Sequence, residues 1–365
     1  MQRRALAALA GPAAAAPLLL AIDAVEAATL PELRWRCPSS FPPSLDTIFG
    51  SAHTFARTLA LITDGRFQVD VYPPGELMAA FEVLDAAATG TVELAHTCSY
   101  YFANRDPAFA IGTALPFGLN SRLQNAWLEG GDGNAVLNDF YRTHGVVGLP
   151  CGNTGCQMGG WFKDDLTSVD GLQGLRMRVA GITGSVLASL GVVPRPLPGS
   201  EIVPALQDGR IDAAEWVGPY DDEKLGFDRV AKYYFYPGWW EPSTTLHLFV
   251  NAEAWDTLPE PYRQACIAAA GYANGYTMAK YDVQNPAALK RLVQKGVVLR
   301  PFPRDVLEQA QSASEAIYAQ FREESPAFRE LFEHWEAFRG DGYLWWLVNE
   351  IAMDAFMVRS RATRG

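Results

Sequence analysis

Two stretches of this chain are built on one plan, and that plan limits the folds open to it. Val83 to His96, VLDAAATGTVELAH, and Pro204 to Trp216, PALQDGRIDAAEW, each run through a helical segment, a turn glycine, an alternating strand and a polar or aromatic residue at the strand's end. Matching Gly90 to Gly209 sets His96 opposite Glu215. The same alternation continues around them. From Pro43 to Thr63 the apolar spacing is helical, Asp64-Gly65 stops it, and RFQVDVY alternates as a strand ending at Pro73-Pro74-Gly75. A helix near Ala79 to Ala88 stops at Gly90, and TVELAH is the next strand. After Cys151 the pattern restarts: LRMRV is a strand, Thr183 to Leu190 a helix, VVPRPL a strand, Glu201 to Gln207 a helix capped by Ser200, and IDAAEW a strand. Strands alternating with short helices predict a parallel sheet, and the repeated plan predicts two α/β lobes. In open sheets of this kind ligands sit beyond the carboxyl ends of the strands, where Glu215 and Trp216 fall.

The last third is predicted helical, over Leu258 to Lys280, Asn285 to Lys295, Arg304 to Glu323 and Ser325 to Phe338. The final stretch, GYLWWLVNEIAMDAFMVRSR, carries Leu344, Leu347, Val348, Ile351, Ala355 and Val358 on one face, with Trp345, Trp346, Phe356 and Met357 widening it. A face so apolar should be covered, by its own lobe or by a second protomer.

At 365 residues, 49% hydrophobic and 19% charged, the chain suits a globular protein of about two domains. Its net charge of −11 argues against nucleic acid or an anionic membrane surface, because phosphate binding needs clustered cations and none appears. An anionic ligand must be held locally. The N-terminus reads as an export signal: Arg3 and Arg4, an Ala/Leu run from Ala5 to Ile22, then small residues from Val25 to Ala28. The alternative is an uncleaved anchor; the adjacent arginines leave Sec and twin-arginine export both open. No later segment is apolar enough to span a membrane. Of five cysteines at least one is unpaired; Cys151 and Cys156 are near enough in sequence to bridge, and buried free thiols are the plainer reading.

The chain has no HExxH, no phosphate-binding GxxxxGK[ST] and no GxSxG elbow, and its five histidines lack the spacing of a metal site or triad. What remains are polar and aromatic residues where a cleft would need them. CSYYFANRDP puts Tyr100 and Tyr101 just after a strand, and CGNTGCQMGGWF puts Asn153 and Gln157 in a glycine-rich turn region. Arg178 lies near a strand end, and PGWWEPS sets Trp239, Trp240 and Glu241 in a turn.

The series LQGLRMRVAGITGSVLASLG, ALQDGRIDAAEW and YPGWWEPSTTLHLFVN resembles the periplasmic solute receptors of tripartite ATP-independent periplasmic (TRAP) transporters, in the branch that includes receptors for 2-oxo acids and lactate. The resemblance implies a two-lobed, type II-like periplasmic binding protein with a hinge, a long connecting helix and additional C-terminal helices. Its parts would be a signal peptide over 1–28, lobe I over 32–150 with about 246–290, lobe II over 151–245 with about 296–338, and a C-terminal helix over 342–361. It also implies that Arg178 takes the ligand carboxylate, in a two-bond geometry lysine cannot reproduce, with Arg176 left on a solvated face. A bound Na⁺ or Ca²⁺ would be held by Gln157, Glu215, the Trp216 carbonyl and Glu241, all hard oxygen donors. The competing reading of Glu215 is an ion pair to a neighbouring arginine; that of Glu241 is the surface of a turn. Asn153, Tyr100 and Tyr101 would donate hydrogen bonds to the ligand. Trp216, Trp240 and Phe249 would wall its apolar part, with Phe249 equally well placed in a core. The expected activity is capture of a small 2-oxo or 2-hydroxy monocarboxylate such as pyruvate or lactate and its delivery to TRAP permease subunits, with no bond chemistry and no nucleic acid. A homodimer through the last helix is compatible. The rival is a secreted α/β enzyme with Glu215 as base and Arg178 as substrate clamp.

Overall fold

A computed structural model describes residues 30–362. The expected export signal therefore lies outside the described residues. Strand β1 (Leu33–Pro38) pairs in parallel with β2 (Phe67–Tyr72), and the helix Ile48–Ile62 crosses between them. The alternation of LRWRCP decides which way β1 faces: Trp35 and Cys37 go inward, while Arg34 pairs with Asp70 and Arg36 with Glu93 at the edge. A second sheet has the order β3-β10-β4, from Leu94–Thr97 (β3), Val146–Asn153 (β4) and Thr245–Asn251 (β10). Both of its pairings are antiparallel, and a single parallel bridge, Ser39 to His96, links it to the end of β1.

The third sheet has six strands, β5 (Trp161–Phe162), β6 (Arg176–Arg178), β7 (Val193–Pro194), β8 (Ala213–Ala214), β9 (Tyr233–Tyr236) and β11 (Val298–Pro301), in the order β11-β9-β5-β8-β6-β7. It is mixed rather than parallel. β6 runs parallel to β7 and β8, and β9 to β11, but β5 is antiparallel to both of its neighbours. The chain enters this sheet from β4 without a helix to turn it round, so its first strand points the other way. VVPRPL contributes two residues only, because Pro194 and Pro196 have no N–H to extend a ladder.

The two helices expected over Leu258 to Lys280 and Asn285 to Lys295 are one, Glu260–Gln294, which carries Pro286 inside it. At about 1.5 Å per residue it is roughly 50 Å long, and it packs against β4, the helix Ile48–Ile62 and the helix Pro219–Leu225. Ser200 is no cap: the helix Gly199–Gln207 begins after Pro198, with Ser200 inside its first turn. The helix Pro326–Trp346 does start from Ser325, whose hydroxyl accepts the Phe328 N–H at 3.0 Å. Beyond it the chain continues through a π-helical turn, Leu347–Ile351, into Ala352–Ala362. The face expected to be covered is open: Leu344, Val348 and Val358 are 68%, 67% and 70% exposed. All five cysteines are free, with Cys156 exposed and the other four buried, so Cys151 and Cys156 do not bridge. No helix among the described residues is long and apolar enough to cross a membrane.

Candidate functional site

Arg178 ends β6 and pairs in register with Ala214, the last residue of β8, so that the next residue, Glu215, comes to lie beside the guanidinium. Arg178 Nη1 donates to the Glu215 carboxylate and, at 3.1 Å, to its backbone carbonyl, while Nε donates to the Leu197 carbonyl at 3.1 Å. The Trp216 ring lies 5.0 Å from Arg178 Cζ. Arg178 is 1% exposed and Glu215 0%. The arginine partner expected as the alternative for Glu215 is therefore Arg178 itself. Arg176 is held differently, by Asp212 and by the Gly209 carbonyl at 2.7 Å, on a half-exposed face. Burial opposes the charge on Arg178, but Glu215 and the neighbouring tyrosines and Glu241 raise its pKa; burial also raises that of Glu215, against the pull of Arg178 and of the Ala180 N–H. Gly160 lets the chain entering β5 pass close to the end of β8: its φ is +83°, and a Cβ there would stand 2.6 Å from the Ala214 carbonyl oxygen.

A second carboxylate closes the cluster. Glu241 is buried, not on the surface of a turn, and burial and the charge of Glu215 push its pKa up to about 8. Its Oε2 accepts from Thr244 Oγ1 at 2.5 Å, and the Tyr100 hydroxyl lies against the same carboxyl group. Gln157 joins from the turn after β4: its N–H donates to the Glu241 carbonyl at 3.1 Å and its side-chain amide to Thr244 Oγ1 at 2.9 Å. The same amide donates to Thr154 Oγ1 at 3.3 Å. Gln157 Oε1 and Glu215 Oε2 are both buried without a hydrogen-bond partner. Buried oxygens rarely stay unpaired; an amide oxygen and a carboxylate oxygen left open in one cluster fit a hard cation. Among the described residues no three His, Cys, Asp or Glu side chains are grouped to hold a metal, so such a site depends on the amide and a backbone carbonyl as well.

A cleft of about 500 Å³ opens beside the cluster, lined by Arg178, Tyr100, Tyr101, Phe81, Gly181 and Leu197 among others. Tyr100 and Tyr101 stack with ring centroids 4.9 Å apart. Gly181 lets the chain leaving β6 pass them, since a Cβ there would meet the Tyr100 ring at 2.5 Å. Three residues expected at the ligand do not line this cleft. Asn153 is buried at the end of β4 and donates its amide to Asn125 at 3.3 Å and Ser243 at 3.1 Å. Trp240 packs on Trp239 and Phe302, and Phe249 sits in the core against Tyr141 and His247. The likeness between the two helix–glycine–strand units extends to the backbone, with φ of 72° at Gly90 and 71° at Gly209, but not to the strand ends. His96 is a satisfied core residue, bonded to Ser39 and Ser51 at 2.9 Å each. Sequence reasoning missed Thr244 and the buried pair Asp221 and Asp222, which stand in the first turn of the helix Pro219–Leu225.

A model of the family described as bacterial extracellular solute-binding protein, family 7, matches residues 39–324. The chain belongs to this family. As a family 7 solute-binding protein it is a receptor rather than an enzyme, and the secreted-enzyme reading falls. It is 45% identical over 334 residues to a monocarboxylate 2-oxoacid-binding periplasmic protein of Nostoc sp., covering 92% of each chain. It superposes with a TM-score of 0.90, at 41% identity and over 92% of this chain and 100% of the other, on a TRAP transporter solute-binding protein from Bordetella bronchiseptica, a mixed-occupancy dimer described with copurified calcium and picolinate. It is also similar, with a TM-score of 0.85 and 31% identity over 88% of this chain and 98% of the other, to a TRAP periplasmic solute-binding protein from Pseudoalteromonas atlantica with bound sodium and pyruvate. The two-lobed α/β architecture is shared with these solved structures.

Proposed function

We propose that this receptor captures a small 2-oxo or 2-hydroxy monocarboxylate together with Na⁺ or Ca²⁺ and delivers it to the permease subunits of a TRAP transporter. The observation that carries the reading is the buried Arg178–Glu215 pair with two open oxygens beside it, Glu215 Oε2 and Gln157 Oε1. Arg178 receives the ligand carboxylate, giving up its hold on Glu215 to do so. Glu215 is then free to turn toward the cation set, with Gln157, the Trp216 carbonyl and Glu241. The cation, when bound, neutralises the carboxylates that would otherwise repel one another in a dry site. Tyr100 and Tyr101 close the site from the other side and exclude water, and the remaining cleft volume takes the ligand's apolar part. Asn153 orients the turn carrying Gln157, accepting the Gly155 N–H at 2.8 Å.

The lobes are assigned as 32–150 with about 246–290 and 151–245 with about 296–338, and the N-terminal 28 residues as a signal that sends the protein to the periplasm. Homodimerisation through the last helix belongs to the same reading, supported by its open apolar face.

Thermal melting with a panel of carboxylates, each with and without CaCl₂ or NaCl, tests the reading, because a ligand that binds only the native state raises the midpoint. Pyruvate or lactate should raise it only when a cation is present, and Arg178→Ala should remove the effect. No shift with any carboxylate would overturn the reading.

A further inference from the structure

Asp221 and Asp222 are 0% and 1% exposed, and neither belongs to the cluster just described. The helix Pro219–Leu225 that carries them begins three residues after Trp216. Asp222 faces back toward that loop. Its Oδ1 accepts the N–H groups of Val217 at 3.3 Å and Gly218 at 3.1 Å, and its Oδ2 accepts Trp161 Nε1 at 2.8 Å and the Tyr234 hydroxyl at 2.7 Å. The loop that follows Glu215 and Trp216 is thereby pinned to β5 and β9.

Asp221 faces the opposite way. It accepts the Thr47 hydroxyl, at the start of the helix that packs on β2, and the Tyr281 hydroxyl of the long helix at 2.6 Å. Asp46 repeats the grip from the same side, pairing with Lys224 and, at 2.7 Å, with Lys280. One short helix therefore connects the Glu215–Trp216 loop to an element of the other lobe and to the long helix. Burial raises both carboxyl groups, Asp221 to about 6 and Asp222 to about 7. Between them the two carboxyl groups accept six buried donors that an apolar residue would leave unpaired.

We propose that Asp221 and Asp222 form a positioning relay: Asp222 fixes the loop that presents Glu215 and the Trp216 carbonyl, and Asp221 ties that loop to Thr47 and Tyr281, so that filling the site and closing the lobes become one event. The inference rests on the function proposed above. In the structure Arg178 and Glu215 are buried while a cleft still opens beside them, and Thr47 and Tyr281 both bond to Asp221. In the lobes assigned above, Thr47 and Tyr281 belong to one and Asp221 to the other, so parting the lobes breaks both bonds. The Thr47 bond is thus a bond of the closed state, with no ligand contact of its own.

Thr47→Val tests this, with calorimetric titration of pyruvate at saturating CaCl₂ and melting without ligand as the two readouts. A hydrogen bond to a buried charged group is worth about 1.5–3 kcal/mol, so the variant should bind pyruvate about tenfold or more weakly, through faster release, while its ligand-free midpoint stays at the wild-type value. Asp222→Asn should raise the Ca²⁺ concentration for half-saturation, measured at saturating pyruvate. If Thr47→Val binds as wild type does, or loses equal stability with and without ligand, the contact is structural and the relay is overturned. If wild type itself ignores Ca²⁺ and pyruvate, the site assignment falls first and the relay with it, an outcome plainly separate from a binding wild type with unaffected variants.

Discussion

At the scale of single residues, the site is decided by where charge is buried. Arg178 and Glu215 each depend on the other, since a buried ion left alone is far more costly than the pair. Arg178→Met should lower unfolding stability by about 3–5 kcal/mol, measured in urea on the ligand-free protein. Adding Glu215→Leu should recover most of that loss, and a double-mutant cycle isolates the coupling. Arg178 and Glu215 were legible in the sequence because a strand end is a poor place for a charge without a function. Asp221 and Asp222 were not, because the sequence cannot say that the first turn of a short helix points inward. His96 makes the opposite case, a polar residue at a strand end that serves the core. Burial lowers its pKa to about 3, below the roughly 6.5 of an unfolded histidine. Its stabilising neutral form is complete above pH 6.5 and is lost progressively as pH falls toward 3, where the unfolded chain takes up a proton the folded one refuses. His96→Gln should therefore flatten the dependence of unfolding free energy on pH between 4 and 6 by about 1.4 kcal/mol per pH unit relative to wild type, read from urea melts at stepped pH.

At the scale of elements, the periodicity located β2, β3, β6, β7, β8 and the long C-terminal helices, but not β1, β4, β5, β9, β10 or β11, nor the lengths that depend on tertiary partners. β7 and β8 are two residues each, yet backbone bonding continues past them: Asp212 N–H reaches the Arg176 carbonyl at 2.7 Å and Glu215 N–H the Arg178 carbonyl at 3.1 Å. The reading of two helices around Pro286 failed for a related reason. Local propensity argues for a break there, but Tyr281, Ala288 and Leu292 are buried on either side of the proline, and Asn285 Oδ1 accepts the Tyr220 N–H at 3.0 Å. Packing carries the helix through a residue that disfavours it. Proline in a helix interior costs up to about 3 kcal/mol against alanine, so Pro286→Ala should raise the ligand-free melting temperature. A midpoint that stays put would mean the helix already bends to accommodate the ring.

At the scale of the whole molecule, the last helix leaves the account open in one place only. Leu344, Trp345, Leu347, Val348, Phe356 and Val358 are all more than half exposed, on a segment that continues past the packed face of Phe328, Leu331, Phe332 and Trp335. Contiguous apolar surface of this kind marks an interaction site more often than a free surface, and the net charge of −11 disfavours an anionic membrane as its cover. A second copy of the chain offers the same stripe, so two helices related by a two-fold axis could each cover the other. Sedimentation velocity of the full mature chain should then show a dimer. Leu344→Glu with Val348→Glu should convert it to a monomer, because a charge buried on each side of a two-fold contact is repeated by symmetry and cannot be paired by its own copy. The site residues lie on other elements, so the monomer should still melt higher with pyruvate and Ca²⁺, at a shift close to that of the parent. A variant that stays dimeric would move the interface off this helix, and one that loses the ligand shift as well would show that the helix supports the site rather than an assembly.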